Sequence, residues 1–508
     1  MVQTSEAYAP YADVRRAEIS FVFGVVAPEA AELAQPSSSA QSVMSHIEHL
    51  TDDMEQMGGK YASLETNLFV LDGTLTPYPG EQQGWQSAVL SDDKGVYTDA
   101  PWIEFGFPSD QDSYGFTLLF DDTMPENHPS RIVTTAYDKN GALIGTLTSI
   151  PTGALHIVSL PVQDYRKVRF TFAESSVPHR RVRVCGVRFG INYTYDAKNI
   201  ASVTVRQSVD PICASLPSAE VDATVDNSDR LYNMINPDGL YRFLQDGQYM
   251  EWSIKIGSEK ISMGRQYFTS AESEDGGLTA KITFNDRLLV MDDMPYNGGA
   301  DGTWTLSAAV TALLTASGTG IEAVFDGALG QTVIRKCIPE KTSIRDALHM
   351  SAQAAMCTCY MDRENRLHFF VPAVNAAADE WTRDVQHEDA QVKVGQLYNV
   401  VQLTRRNDYV ENAEDEVFTA KNVAADDFER IYEVTNPLVQ DGAEVAAWLL
   451  GWVQRRVSYD VTVRGNPALE LLDTVQIDDI YGVNGKALLT QLNYDYDGGI
   501  KCNAEAIR

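Results

Sequence analysis

Alternating apolar and polar positions dominate this chain and predict many short β-strands. Between residues 67 and 195, apolar runs such as Trp102–Phe107, Gly115–Phe120 and Lys167–Phe172 are separated by turn residues. β-branched and aromatic side chains in runs of this length and spacing are typical of antiparallel sandwiches. The segment therefore predicts one complete all-β domain.

Two further blocks have the same pattern. Residues 196–300 contain the predicted strands Ala201–Arg206 and Tyr249–Ile256, and residues 395–508 contain Asp473–Ile477 and several others. Each block is long enough for a β-domain of its own.

Apolar residues at helical spacing occur between these two blocks and also within the second one. In residues 301–394, Thr305 precedes one predicted helix and Ser343 opens another, with two strands after it, which predicts a small α/β unit. In the last block, Asp441 is placed to cap a helix over residues 441–457.

The first 66 residues predict a strand at Arg16–Phe23 and then a packing helix. In that helix Val43, Ile47, Leu50, Met54 and Met57 recur at helical spacing before Gly58 and Gly59. His46 and His49 share one face of it. Two histidines alone make an incomplete ligand set, so we assign no metal here.

Composition and charge narrow the function classes. The 508 residues are 44% hydrophobic and 22% charged, with a net charge of −31 from acids spread along the chain. Folded domains throughout are expected. Proteins that grip nucleic acid normally present a basic patch, so DNA is expected only in transit. The N-terminus has no apolar signal sequence, and no run is long enough for a membrane span.

Candidate chemistry is sparse. The six cysteines form no C-x-x-C pair, and Cys357 and Cys359 are interpreted as buried free thiols. The pairs Asp92–Asp93, Asp121–Asp122 and Asp292–Asp293 are interpreted as solvated loops, with calcium binding as the alternative. Motifs of metalloproteases, serine hydrolases and dinucleotide enzymes are absent from the sequence. We therefore predict no catalytic residue, no cofactor and no metal.

The C-terminal block contains the runs Gly465–Ile477 and Leu489–Gly499. These runs resemble the closing β-domain of phage tail baseplate hub and tail-associated proteins, with Leu472 where that family usually has glycine. The block around Ser218–Asn227 and Met263–Phe268 is similar to the first hub domain of the same family.

That resemblance implies a structural, non-enzymatic subunit. In the family, two β-domains per subunit form a pseudo-sixfold ring as a homotrimer, which adapts the tail tube to a threefold tip. The implied partners are distal tail or tail tube proteins, the tape measure protein and tail fibre or spike proteins. The implied location is the virion tail tip, assembled in the host bacterial cytoplasm.

The segment 67–195 resembles galactose-binding, discoidin-like sandwiches through Val70–Gly73 and His179–Val184. Such sandwiches serve as sugar binders and as inert spacers. Aromatic rings can stack on sugars, although aromatic residues in sandwiches usually belong to the core. The candidate contacts to a host glycan are Trp85, Tyr97, Trp102 and Tyr114.

The predicted fold class is mainly β with α+β elements: two hub-type β-barrel or sandwich domains, a small α/β unit and an inserted jelly-roll-like sandwich. The predicted segments are 1–66, 67–195, 196–300, 301–394 and 395–508. Two other functions stay open, a carbohydrate-binding adhesin and a tail-associated peptidoglycan hydrolase.

Overall fold

The computed structural model confirms a mainly β protein with few helices. It describes residues 1–508 with the following exceptions: 6–7, 12–16, 28, 52–62, 64, 66–83, 122–127, 275, 408, 410–413, 425–427, 479 and 481–484. The run Val70–Gly73, which carries part of the resemblance to galactose-binding sandwiches, lies outside the described residues.

The chain divides into two compact units. We call Val22–Thr194 with Met234–Gln248 the sandwich unit, and Met1–Phe21, Tyr195–Asn233 and Tyr249–Arg508 the sheet unit. The sandwich unit thus includes described residues before position 67 and a short later segment that the sequence pattern grouped with the 196–300 block.

In chain order the strands are β1 (Ala17–Val26), β2 (Gln35–Ser38), β3 (Trp85–Gln86), β4 (Trp102–Ser113), β5 (Phe116–Leu119), β6 (Pro129–Tyr137), β7 (Leu143–Ser149), β8 (Leu155–Val158), β9 (Val162–Ser175), β10 (Arg183–Val184), β11 (Gly186–Arg188), β12 (Gly190–Tyr195), β13 (Ile200–Ser208), β14 (Glu220–Asp226), β15 (Tyr249–Ile256), β16 (Glu259–Glu272) and β17 (Thr279–Asn285). They continue with β18 (Pro295–Tyr296), β19 (Thr303–Thr305), β20 (Glu322–Phe325), β21 (Val333–Arg335), β22 (Thr342–Ser343), β23 (Thr358–Met361), β24 (Arg366–Phe370), β25 (Asp379–Trp381), β26 (Gln391–Val394), β27 (Val400–Arg405), β28 (Glu416–Lys421), β29 (Ile431–Thr435), β30 (Val457–Val463), β31 (Thr474–Ile477), β32 (Gly485–Tyr496) and β33 (Ile500–Ile507).

The α-helices are α1 (Ala30–Leu33), α2 (Leu306–Ser317), α3 (Ile344–Ala354) and α4 (Gly442–Val453), and the 3-10 turns are Ile47–His49, Leu240–Arg242, Leu289–Asp293 and Leu329–Gln331.

The sandwich unit packs a five-stranded sheet, β2-β4-β9-β6-β7, with the shorter sheet β11-β5-β8 around an aromatic core. Apolar residues alternate inward along β4 and β9, as the sequence pattern predicts. Fully buried rings of this core include Phe105, Phe116, Phe170 and Phe172.

Entry to and exit from the sandwich lie side by side. The Ala27 amide donates to the Phe189 carbonyl at 2.9 Å. The next residue, Gly190, has φ +154°, and a Cβ there would lie 2.2 Å from the Val25 carbonyl oxygen. Glycine is required because the two backbones approach too closely for a side chain.

The sheet unit contains one sheet built from strands of both predicted hub segments, 196–300 and 395–508. Its hydrogen-bonded order includes β15-β16-β17-β14-β13-β32-β33-β30-β26, with β31 and β25 attached beside β32. The key neighbours are β13 and β32, which pair from Val203–Tyr496 to Ser208–Gln491. Strands almost 300 residues apart in sequence are thereby adjacent.

The helices of the sheet unit begin where their caps predict. Thr305 accepts from the Ala308 amide at 3.2 Å, Ser343 from that of Asp346 at 3.0 Å, and Asp441 from that of Glu444 at 3.0 Å. α4 ends at Val453, earlier than residue 457 of the sequence prediction, so Arg455 and Arg456 lie beyond the helix.

The predicted helix from Val43 to Met57 is wrong in its described part, and one turn is looser than the tight hairpin that its Asn140-Gly141 sequence favours. Residues 43–51 form only the 3-10 turn Ile47–His49, and Met54 and Met57 lie outside the described residues. In the turn Asp138–Gly141 glycine alone has a positive φ, of +79°. Asp138 accepts from the amides of Asn140 and Ala142, both at 2.8 Å, which stabilises a longer loop than a two-residue hairpin turn.

Candidate functional site

Two of the four aromatic residues singled out for glycan contact belong to the sandwich core. Trp85 is fully buried, and its ring stacks on Phe172 with centroids 6.0 Å apart. Tyr97 is 4% exposed, and its hydroxyl donates to the Arg180 carbonyl at 2.9 Å. Burial raises the pKa of the Tyr97 hydroxyl. Both rings stabilise the sandwich from within.

Tyr114 is half-buried and packs within the sandwich unit. Its ring meets Phe243 edge to face with centroids 5.3 Å apart, and its hydroxyl donates to the Asp238 carbonyl at 3.3 Å. Part of its surface is therefore occupied by the segment Met234–Gln248.

Trp102 offers the best-placed aromatic surface of the four. It begins β4, is half-buried, and carries the Arg169 guanidinium 4.1 Å from its ring centroid. Arg169 also donates to Glu104 at 2.7 Å, and the Lys167 ammonium lies 3.6 Å from the same carboxylate. We call Trp102, Glu104, Lys167 and Arg169 the Trp102 surface. The alternation along β4 signals it, because Trp102 and Glu104 share the face opposite buried Ile103.

The structure does not bring the four aromatic residues onto one face. Trp102 begins β4 and Tyr114 follows its last residue, Ser113. On β9 the partners of Trp102 and Ser113 are Thr171 and Val162, nine residues apart. At about 3.3 Å per residue this is about 30 Å, too far for both rings to contact the same sugar ring.

A buried ion pair holds the sandwich near β10. Arg183 donates to both Glu65 carboxylate oxygens, at 2.8 and 2.5 Å, and the two side chains are 3% and 1% exposed. Ser63 and the Arg181 amide complete the carboxylate's hydrogen bonds. Burial would raise the pKa of Glu65, but Arg183 outweighs it and the pKa is lowered to about 2. Sequence patterns gave no signal for this pair.

The turn at Leu472, where the family pattern has glycine, has a backbone conformation that glycine favours. Leu472 has φ +64°, in the left-handed region, and its amide donates to the Leu489 carbonyl at 2.7 Å. The Leu489 amide returns a bond to Asp473 at 3.0 Å. Gly465, at the start of this segment, also has a positive φ, of +78°. The Leu472 side chain is 8% exposed and packs beside Leu488 and Trp452.

Histidine and carboxylate side chains meet at one place on the sandwich unit. His46, Glu48 and His49 each offer a ligand atom, and these atoms lie within 4.8 Å of one another. It is the one such group of three among the residues that the structure describes. Helical spacing places both histidines on one face but not Glu48, which in the predicted helix points away from them.

The acidic pairs are engaged in local contacts. Asp92 accepts from the amides of Lys94 and Val96, both at 2.8 Å, and Asp292 pairs with Arg345. Asp93 lies 2.9 Å from the His179 ring. Asp122 is outside the described residues.

All six cysteines are buried free thiols. Cys357 and Cys359 belong to the same core, with Cys213 nearby, and burial raises the pKa of both thiols well above the usual range. Thiols held in the neutral form are poor nucleophiles and poor metal ligands. In the described part of the chain, no helix is long and apolar enough to cross a membrane.

Comparisons with known proteins give structural likenesses only. No protein-family model matches the sequence, and neither does any curated protein. The 43 kDa tail protein of prophage MuSo2 from Shewanella oneidensis is similar in structure, with TM-score 0.43 and 15% identity over 62% of this chain and 96% of that one.

A tail protein from Neisseria meningitidis MC58 is similar with TM-score 0.46 and 11% identity, over 62% of this chain and 94% of that one. The family 32 carbohydrate-binding module of NanJ from C. perfringens, solved with galactose, is similar with TM-score 0.22 and 8% identity, over 34% of this chain and 99% of that one. Likenesses of this size leave the functional assignment to the chain's own residues.

Proposed function

We propose that this protein is a structural hub subunit of a phage tail or a phage-like particle, without enzymatic activity. The proposal includes a homotrimeric ring at the tail tip that contacts tail tube, tape measure and fibre or spike proteins and lets DNA pass. The sandwich unit is an accessory module carried by that ring.

The turn at Leu472 carries the proposal. The resemblance to tail hub proteins rests most specifically on the segment from Gly465 to Ile477, and Leu472 is the residue that departs from it. A leucine at φ +64° adopts the conformation that glycine would adopt at no cost. The departure therefore leaves the backbone of the family turn in place, which supports the resemblance.

Pairing of β13 with β32 adds support. The two segments that resemble hub domains are parts of one sheet, so they form a single body as a ring subunit requires. Closed cyclic symmetry is the usual way in which identical subunits make a ring.

Native mass tests the proposal most directly. We expect a species of three times the chain mass at micromolar concentration, and rings in negatively stained samples. A monomer that stays monomeric when concentrated, with no ring, would contradict the hub.

The accessory role of the sandwich has its own test. Because Ala27 and Phe189 are hydrogen-bonded, residues 28–188 can be replaced by a short Gly-Ser linker. The shortened chain is expected to reach the same oligomeric state as the full chain. A shortened chain that folds but stays monomeric would show that the sandwich is integral to assembly.

Glycan binding is the second candidate, favoured by the Trp102 surface. An aromatic face flanked by charged groups is suited to stacking on a sugar ring while binding its hydroxyls. On a glycan array, Trp102→Ala should abolish any binding that the full chain shows. Trp304→Ala, which removes a half-buried tryptophan of the sheet unit, is the matched control. Binding that survives Trp102→Ala would exclude this surface.

Net charge bears on DNA passage. A trimer would carry a net charge of −93, three times −31. A lumen that is not basic would let DNA slide, because retention needs cations that neutralise phosphates. A ring structure with a lumen lined mainly by Lys and Arg would refute the sliding hypothesis.

A further inference from the structure

Three potential metal ligands sit on one short turn of the sandwich unit. The His46 Nδ1 and Glu48 Oε1 atoms are 3.5 Å apart, and the rings of His46 and His49 have centroids 6.1 Å apart. Ligand atoms from all three residues lie within 4.8 Å of one another. All three side chains are half-buried or exposed, so an ion can reach them from solvent.

The backbone of this turn is fixed to the sandwich. The His46 amide donates to the Gly84 carbonyl at 2.7 Å, and the Val187 amide donates to the Leu50 carbonyl at 2.7 Å. Leu50 is buried in the sandwich core, and Ile47 packs against it. A turn anchored at both ends loses little entropy when its side chains converge on an ion.

Distances and ligand types suit a small transition-metal ion. Zn²⁺ binds imidazole nitrogen and carboxylate oxygen at about 2.0–2.2 Å, which in a tetrahedron places neighbouring ligand atoms about 3.3–3.5 Å apart. The His46–Glu48 distance of 3.5 Å already matches. The other ligand atoms, which lie within 4.8 Å of one another, would have to approach by side-chain rotation to reach this spacing.

Charge favours a cation at this position. Glu48 supplies a carboxylate, an anionic ligand that attracts a cation. Two imidazoles and one carboxylate are a ligand set that Zn²⁺ uses, whereas Ca²⁺ and Mg²⁺ prefer oxygen ligands and are disfavoured by the two imidazole nitrogens.

We propose that His46, Glu48 and His49 bind one Zn²⁺ ion per chain on the surface of the sandwich unit. Three protein ligands leave a coordination position open toward solvent for a water molecule. The ion would link the turn's side chains and so stabilise the sandwich unit by binding only its folded form. This proposal does not depend on the hub function.

Titration of the full chain with Zn²⁺ after removal of bound metals by a chelator tests the site. We expect stoichiometric binding of one ion, and a rise in the unfolding temperature of the sandwich on adding Zn²⁺. Co²⁺ in the same site should show visible absorption typical of low coordination number. Loss of a ligand should weaken binding at least about 100-fold, since loss of a mere outer partner of a metal ligand costs about 10- to 100-fold.

The variants are His46→Ala combined with His49→Ala, and separately Glu48→Gln, which keeps the side chain's shape. His179→Ala is the matched control, because His179 is another half-buried histidine of the sandwich unit beside a carboxylate, that of Asp93. The control should bind Zn²⁺ as the full chain does. The unfolding temperatures of all variants, measured in the presence of chelator, should be equal. If the double variant does not fold, the Zn²⁺ affinity of Glu48→Gln by itself tests the proposal.

Absence of stoichiometric Zn²⁺ binding by the full chain would overturn the proposal. It would be overturned equally by unchanged affinity in Glu48→Gln and the double variant, or by a loss of the same size in His179→Ala, which would indicate general binding to surface histidines.

Discussion

The sandwich unit and the sheet unit build their cores from different parts of the chain. Strands β4, β6 and β9 of the sandwich pair within one segment of about 75 residues. The sheet unit pairs β13, near residue 200, with β32, near residue 490, and places the last strand, β33, between β32 and β30. Its sheet is therefore complete only when the end of the chain is present.

This difference has consequences for folding. Contacts between distant segments form slowly because the loop between them must first be closed. We infer that the sandwich can fold early and that the sheet unit forms last.

Truncation after Asp497 should have the largest effect. It removes β33, whose Ile500, Cys502, Ala504 and Ala506 side chains are buried, and leaves β32 and β30 without their shared neighbour. Calorimetry should show loss of the sheet unit's unfolding transition, with that of the sandwich retained.

Lys501→Ser, an exposed change in the same strand, is the control and should alter stability by less than about 0.5 kcal/mol. If truncation removes both transitions, the sandwich does not fold independently and the comparison fails.

The second-largest effect is expected for Glu65→Ala, with a loss of about 3–5 kcal/mol confined to the sandwich, because it removes the carboxylate that compensates the charge of the buried Arg183. Thermal unfolding of the variant measures this loss of stability. Glu174→Ala breaks the exposed pair with Arg131, at 3.2 Å, and should cost no more than about 1 kcal/mol. Equal effects of the two changes would mean that burial of the Glu65 pair is unimportant.

The stabilities of the two units should respond to acid in opposite directions. Glu65 has its folded pKa lowered from 4.5 to about 2, so its contribution is present above pH 4.5 and is lost as the pH falls toward 2. The shift corresponds to about 3 kcal/mol at about 1.4 kcal/mol per pH unit.

In the sheet unit, burial raises the pKa of Asp286 despite hydrogen bonds from Ser218 and the Ala219 amide. A raised folded pKa contributes stability at low pH that is lost as the pH rises through it. The stability of the sandwich should therefore fall as the pH is lowered below about 4.5, and Glu65→Gln should remove this dependence. The stability of the sheet unit should change with pH in the opposite direction, and Asp286→Asn should remove that dependence. Slopes unchanged by either substitution would contradict these assignments.

The smallest effect is expected at Leu472. Alanine loses the packing of a buried leucine but keeps a side chain at φ +64°, whereas glycine loses the packing and relieves the strain. Leu472→Gly should therefore be more stable than Leu472→Ala by about 1 kcal/mol in denaturant unfolding of the sheet unit. The reverse order would show that the positive φ imposes no strain.

The sequence by itself determined the mainly β class, the positions of most strands and the helix starts at Thr305, Ser343 and Asp441. These features depend on side-chain periodicity and on capping groups a few residues away, so local patterns contain the information. It also singled out Leu472 as the departure from the family pattern.

Only the tertiary structure decided which of the patterned residues meet. Trp85 and Trp102 are equivalent in a local pattern, yet one is buried and the other half-exposed, because burial depends on which strands pack over each ring. The Glu65–Arg183 pair joins residues 118 positions apart, and β13 finds β32 across almost 300. Turning His46, Glu48 and His49 toward one another required a 3-10 turn, anchored by Gly84 and Val187, where helical spacing predicted an α-helix.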